Sequence, residues 1–121
     1  MITPVFAISN YQLALDFYVG WLGFVIDWEE PLPVANRHYF QVSRGGDILH
    51  LTDDATESCQ GAKAIAEVTG LLSYHRQLQE RTAHFTFGLP ALHKAMWSDK
   101  VVQLEVADPF GNRLVFAEFS L

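Results

Sequence analysis

The chain has 121 residues, half of them apolar and 13% aromatic, with a formal net charge of −6. That length and composition fit one domain with a packed core rather than a disordered chain. The acidic balance argues against nucleic acid, which needs a basic stripe, and no stretch approaches the ~20 apolar residues of a membrane-spanning helix.

Thr3 to Ile8 reads as a short strand. Asn10 can accept the free N–H groups of a first helical turn, and Tyr11, Ala14, Leu15, Tyr18 and Leu22 follow at helical spacing. Leu13, Phe17 and Trp21 widen this stripe, either as a broad core contact or as a face that meets another subunit. Gly23 ends the helix. Phe24 to Glu29 is expected as a strand, Pro31-Leu32-Pro33 as an extended loop, and His38 to Ser43 as the next strand. Arg44-Gly45-Gly46-Asp47 is a hairpin turn into a strand at Ile48 to Thr52. Asp53 to Gly61 is polar and turn-rich, as a linker would be.

The second half repeats this order. Ala62 to Val68 reads as a strand, and Thr69 as the cap of a helix carrying Leu71, Tyr74 and Leu78. A short strand is expected at His84 to Phe87, an irregular segment at Gly88 to Ser98, and a strand at Lys100 to Ala107. Asp108-Pro109-Phe110-Gly111 is a turn, and Arg113 to Phe119 closes the sheet. Gly46-Asp47-Ile48-Leu49-His50-Leu51 and Gly111-Asn112-Arg113-Leu114-Val115-Phe116 are both glycine turns feeding a strand, 65 positions apart (111 − 46). A repeat of half the chain predicts two copies of one βαβββ unit, modules 1–57 and 58–121 of a single domain. The fold class is therefore α+β: a curved, mixed eight-stranded sheet with both helices on one face and a concavity on the other.

Met1–Phe6 has no basic n-region or long apolar core, and Cys59 is the only cysteine. A reduced, cytoplasmic protein is expected. His38, His75, His84 and His93 lie in different elements without ligand spacing. The chain also has no Ser-His-Asp or Cys-His signature, phosphate-cradling glycine loop or evident carboxylate pair.

Leu15-Asp16-Phe17-Tyr18 with Trp21-Leu22-Gly23-Phe24 resembles the first helix of the vicinal-oxygen-chelate superfamily of glyoxalases, extradiol dioxygenases and bleomycin-resistance proteins. Gln41-Val42-Ser43-Arg44-Gly45 and Asp108-Pro109-Phe110-Gly111-Asn112-Arg113-Leu114 are similar to the hairpins that close its modules. The resemblance spans the whole chain. The tract around Asp27-Trp28 and the tryptophan before the seventh strand bring it nearest to the bleomycin-resistance branch. These are packing and turn features, so they point to the fold more than to a chemistry.

Catalytic members of the superfamily hold a divalent metal at four sheet positions. The resemblance puts Thr3, His50, Lys63 and Val115 there. Only His50 is a ligand type, while lysine adds positive charge and valine has no donor. The inherited metal site is therefore expected to be absent, and no cofactor is expected. Strand alternation places Leu49, Leu51, Leu114 and Phe116 on the helix side, and His50 and Val115 on the concave side. His50 reads first as a hydrogen-bonded histidine of the cavity wall.

Asp27-Trp28-Glu29-Glu30 ends a strand at the rim of that concavity, where an apolar ring beside carboxylates suits a flat cation. The resemblance implies a homodimer with drug clefts, and a stacking role for Trp97, whose neighbours Met96 and Ser98 depart from the family's Pro-Trp-Gly. Trp97 reads equally as a plug at the sheet end. The expected ligand-binding residues are Trp28, Glu29, Glu30, Tyr39, His50, Phe87 and Trp97.

The leading expectation is a non-catalytic protein that sequesters a bleomycin-type or other cationic aromatic ligand, conferring antibiotic resistance. The alternatives are a metal-dependent lyase, isomerase or dioxygenase with a relocated site, and an interaction module with an unoccupied cavity.

Overall fold

Asn10 starts the first helix as its sequence suggests: its side chain accepts the Leu13 N–H at 2.9 Å. The structure is a computed structural model, and it describes residues 1–31 and 37–120. The chain forms two compact units, Met1–Ala62 with Asp108–Asn112, and Lys63–Ala107 with the chain from Arg113 onward.

The first unit contains β1 (Val5–Ala7), α1 (Tyr11–Leu15) continued by a π-helical stretch (Asp16–Trp21), β2 (Val25–Pro31), β3 (His38–Arg44) and β4 (Asp47–Thr52). The sheet order is β1-β4-β3-β2, with β1 parallel to β4 and the other pairs antiparallel. Of the extended loop expected at Pro31-Leu32-Pro33, Pro31 is instead the last residue of β2, and the rest lies outside the described residues. In the π-helical stretch the Leu22 N–H donates to Phe17 O at 2.9 Å, five residues back. The wider turn brings Phe17, Tyr18, Trp21 and Leu22 all out of solvent. Ala14, Phe17, Tyr18, Trp21 and Leu22 of the apolar stripe are thus core within one chain, while Tyr11, Leu13 and Leu15 are half-buried. Phe6, Phe40, Val42, Leu49 and Leu51 form the buried face of the sheet, and Tyr11 from α1 meets Phe40 edge-on at 5.3 Å. Gly23 at φ 84° and Gly45 at φ 61° adopt the left-handed backbone that ends the helix and closes the β3–β4 hairpin.

The Asp108–Asn112 turn belongs to this first unit. Asp108 Oδ1 accepts the Phe110 and Asn112 N–H groups at 2.9 and 2.8 Å, and Gly111 takes φ 88°. Tyr18 donates its hydroxyl to Asp108 Oδ2 at 2.5 Å, and Asn112 Nδ2 donates to the same oxygen at 2.8 Å and to Ala7 O at 2.7 Å. The Ala62 N–H donates to Asn112 Oδ1 at 3.2 Å. A simple turn by its sequence, this segment is a buried polar lock on β1 and the first helix. Burial, together with the Asp108 carboxylate beside it, holds the Tyr18 hydroxyl pKa well above its ordinary value.

The second unit contains β5 (Lys63–Glu67), α2 (Leu71–Arg81), β6 (His93–Ala95), β7 (Ser98–Ala107) and β8 (Arg113–Phe119). Its order, β5-β8-β7-β6 with β5 parallel to β8, repeats that of the first unit element for element. Among the described residues the chain therefore has eight strands and two helices, as two four-stranded mixed sheets. Leu71, Tyr74 and Leu78 are buried, and Tyr74 meets Phe116 edge-on at 5.2 Å.

Two local expectations are corrected. The N-cap of α2 is Gly70 at φ 69°, not Thr69, and the helix start is capped from β8, where Glu118 accepts the Gly70 and Leu71 N–H groups at 2.9 and 3.1 Å. A carboxylate is the stronger acceptor and also suits the positive helix end. The strand expected at His84 to Phe87 is not formed. Its Phe85 and Phe87 rings stack on each other at 5.8 Å instead, and Gly88 and Pro90 follow, both unfavourable to a ladder. The pairing strand is β6, inside the stretch expected to be irregular.

Candidate functional site

A bulge in β2 builds the open face of the first sheet. The pairing runs Ile26↔Val42 and then Trp28↔Gln41, so Asp27 is an extra residue between two ladder positions. Such an insertion breaks the alternation of faces. Asp27 and Trp28 consequently lie on the same side as Gln41 and Ser43, and Asp27 accepts from both: Gln41 Nε2 to Oδ2 at 3.0 Å and Ser43 Oγ to Oδ1 at 3.0 Å. These two donors hold the Asp27 carboxyl below its ordinary pKa.

Register places His50 directly across from Gln41 on one side and Val5 on the other. His50 Nε2 is 3.0 Å from Gln41 Oε1, and His50 Nδ1 is 2.8 Å from the Tyr39 hydroxyl. The proton positions follow from the carboxylate end. Asp27 can only accept, so the Gln41 amide turns its NH₂ to Asp27 and its oxygen to His50. Nε2 must then carry the His50 proton, Nδ1 is a lone pair, and Tyr39 donates to it. Partial burial lowers the His50 pKa from its ordinary value, in keeping with a neutral ring. The Tyr39 hydroxyl pKa is raised, first by burial and then by the nearby Glu57 carboxylate.

Three rings assemble around this line of hydrogen bonds. Trp28 and Tyr39 are within 8° of parallel with centroids 6.1 Å apart, and His50 stands edge-on to both at 5.2 and 5.3 Å. Trp28 remains 39% exposed. Glu30, opposite Tyr39 in the ladder, adds an exposed carboxylate to this face. The result is an aromatic platform of two stacked rings edged by acids.

The structure thus brings together Trp28, Glu30, Tyr39 and His50. Glu29 alternates to the other side: it pairs with buried Phe40 and accepts a hydrogen bond from the Tyr11 hydroxyl. Its placement differs from the rim position expected for it, because a period of two separates it from Trp28. Burial first, and then Glu29, push the Tyr11 hydroxyl pKa up to about 12. Phe87 and Trp97 belong to the second unit, Phe87 half-buried against Phe85, and Trp97 57% exposed at the β6–β7 turn, 5.7 Å from Phe119. Gln41 and Ser43 are site residues that the sequence reading misses, although Tyr39, Gln41 and Ser43 alternate with buried Phe40 and Val42 and so must face His50.

Beside the platform, Thr52 pairs with Tyr39 and with Ala7. Thr52 and Ala7 both line a cavity of about 540 Å³ that also touches Ser9, Arg37, Asp53 and Ser58. Asp53 accepts from the His38 backbone and ring at 2.6 and 2.8 Å, and Thr52 donates to His38 O at 2.7 Å, whereas the buried Ser58 Oγ has no hydrogen-bond partner among the described residues.

The four positions that hold a metal in catalytic relatives do not fit one here. In the first unit, Thr3 lies outside β1, and both His50 nitrogens are committed to Tyr39 and Gln41. In the second unit, the Lys63 ammonium lies 3.3 Å from Glu105, which also faces Arg113 at 3.7 Å, and Val115 is 1% exposed with no donor atom. An engaged imidazole in the first unit, and a lysine and a valine in the second, give neither unit a ligand set for a divalent ion. Among the described residues, no group of three His, Cys, Asp or Glu is placed to hold a metal ion. Among the same residues, no helix is long and apolar enough to cross a membrane.

Two βαβββ units, each a mixed four-stranded sheet with its own helix, define an α+β protein built by repetition of one unit. Residues 1–120 match the family model described as glyoxalase superfamily protein, and the chain belongs to that family. No curated protein matches the sequence. Among solved structures, it is similar to a bleomycin-binding protein complexed with bleomycin, at 19% identity and TM-score 0.72 over 99% of this chain and 98% of that one. It is likewise similar to TnmS3, an antibiotic binding protein from Streptomyces sp. CB03234, at 21% identity and TM-score 0.71 over 98% and 93%. A glyoxalase family protein from Bacillus anthracis gives 19% identity and TM-score 0.72 over 98% and 93%. At these identities the likeness establishes the fold.

Proposed function

We propose that this protein binds and sequesters a small cationic aromatic molecule, of which a bleomycin-type antibiotic is the leading example, without transforming it. The observation that carries the reading is the Trp28–Tyr39 platform, edged by Asp27 and Glu30, beside a histidine with no nitrogen left to act as a base or a metal ligand. A flat cation gains stacking area and Coulomb attraction on such a surface. The likeness to a bleomycin-binding protein and to the antibiotic-binding TnmS3 supports the same class of guest. In this reading the protein is a cytoplasmic homodimer whose modules, 1–57 and 58–121, form one domain. Phe87 and Trp97 contribute to the cleft between subunits, and the biological outcome is antibiotic resistance.

Calorimetric titration with metal-free bleomycin tests this directly. Saturable heat at micromolar protein, on a species shown to be a dimer by sedimentation, is expected. The absence of heat at high micromolar concentration, with the dimer confirmed, would remove bleomycin as the guest.

A further inference from the structure

We infer that the platform selects planar cations by their N–H donors, because its hydrogen-bond network leaves the open face presenting mainly acceptors. The inference rests on the reading of this face as a cation site, and it names the chemistry that the site prefers within that class.

Asp27 is an acceptor only, and Gln41 and Ser43 both donate to it. The orientation of the Gln41 amide forces the His50 proton onto Nε2, 3.0 Å from Gln41 Oε1. His50 Nδ1 therefore takes the Tyr39 proton, across 2.8 Å. Four side chains, Tyr39, His50, Gln41 and Asp27, thus form one line of hydrogen bonds in which every proton points toward Asp27. None of them can reverse alone, since reversing any member would set two protons or two lone pairs against each other.

A guest on this face therefore meets a surface rich in lone pairs. Tyr39 offers oxygen lone pairs but no proton. Asp27 has carboxylate lone pairs beyond the two in use, Ser43 offers lone pairs, and Glu30 opposite Tyr39 has two more acceptor oxygens. Glu57 lies near enough to raise the Tyr39 pKa, adding a third negative charge to the surroundings. The exceptions are the second amide hydrogen of Gln41 and the Trp28 indole N–H. A ring cation bearing amino, amidinium or guanidinium hydrogens would pair with these acceptors while stacking. A ring cation of equal charge without N–H groups would gain only stacking and Coulomb attraction, and would leave desolvated acceptors unpaired. Hydrogen bonds to charged groups of this kind are worth about 10-fold or more in affinity.

The test compares two flat bicyclic monocations by calorimetry at neutral pH: 4-aminoquinolinium, which has only N–H donors, and 1-methylquinolinium, which has none. The wild-type protein is expected to prefer 4-aminoquinolinium by about 10-fold. In Tyr39→Phe one of the acceptors of this face is gone, so the variant should reduce the preference to about 3-fold or less. The ¹⁵N shifts of the His50 ring in the wild-type protein provide a readout that needs no variant, and they should report the Nε2–H tautomer. Equal affinity for the two cations, or an Nδ1–H tautomer, overturns the inference while leaving the cation site standing. If neither cation binds, the site and the inference fall together.

Discussion

Asn112→Ala tests the lock that fixes β1 and the first helix. The side chain is fully buried and makes three hydrogen bonds: to the Ala7 carbonyl, to the Asp108 carboxylate, and from the Ala62 N–H. At about 1 kcal/mol for each neutral bond and ~2 for the bond to the carboxylate, truncation should cost about 3–5 kcal/mol, the upper part reflecting buried partners left unpaired. Urea denaturation followed by circular dichroism measures this as a lower midpoint at unchanged slope. Asn112→Asp provides an internal control of sign. It is nearly isosteric but faces Asp108 with a second carboxylate, so its cost at neutral pH should exceed that of alanine and shrink as the pH is lowered. A loss below about 1 kcal/mol for Asn112→Ala would refute the claim that this turn is held by its buried polar bonds.

Trp28→Ala should weaken a bound aromatic cation by about 10-fold or more, as loss of a central stacking ring does. The same change should alter the urea midpoint little, since Trp28 is an exposed edge-strand residue. Tyr18 has a folded pKa above its unfolded value of 10.0, so the folded state holds the proton longer. Its contribution is complete below pH ~10 and is lost as the pH rises beyond that. Tyr18→Phe should flatten this alkaline loss, though at lower stability because Asp108 loses a donor. The His50 shift is downward, so its neutral form dominates near pH 7. Cation affinity should fall only as the pH drops through the lowered His50 pKa, below the ordinary histidine value, when protonation of His50 removes the acceptor for Tyr39 and adds positive charge; His50→Gln should lose that dependence in calorimetry. Elemental analysis after gentle purification should find less than stoichiometric Ni, Zn, Mn or Fe.

Much of this architecture is legible in local chemistry. Asn10 caps its helix, Gly23, Gly45 and Gly111 adopt positive φ where turns are expected, and alternation puts Leu49 and Leu51 opposite His50. Local reading fails where a distant residue decides the outcome. Glu118 caps α2 from 48 positions away, so the local candidate Thr69 is not used. Phe85 and Phe87 have strand-forming side chains, yet the ladder begins only at His93. At the site, Trp28, Tyr39 and His50 can be anticipated, while Glu29 cannot be separated from its neighbours. A bulge adds one residue without a distinctive sequence mark, and this one sets the face of every residue around it. Gln41 is visible only through pairing, because its role depends on lying between His50 and Asp27.

The most direct measurement is a stoichiometric titration of metal-free bleomycin into the purified protein, followed by denaturation and mass spectrometry of the released ligand. Saturable uptake by the wild-type protein, loss of uptake by Trp28→Ala, and recovery of the antibiotic at unchanged mass are the predicted results. Recovery of a chemically altered ligand would contradict the claim that this face holds its guest without transforming it.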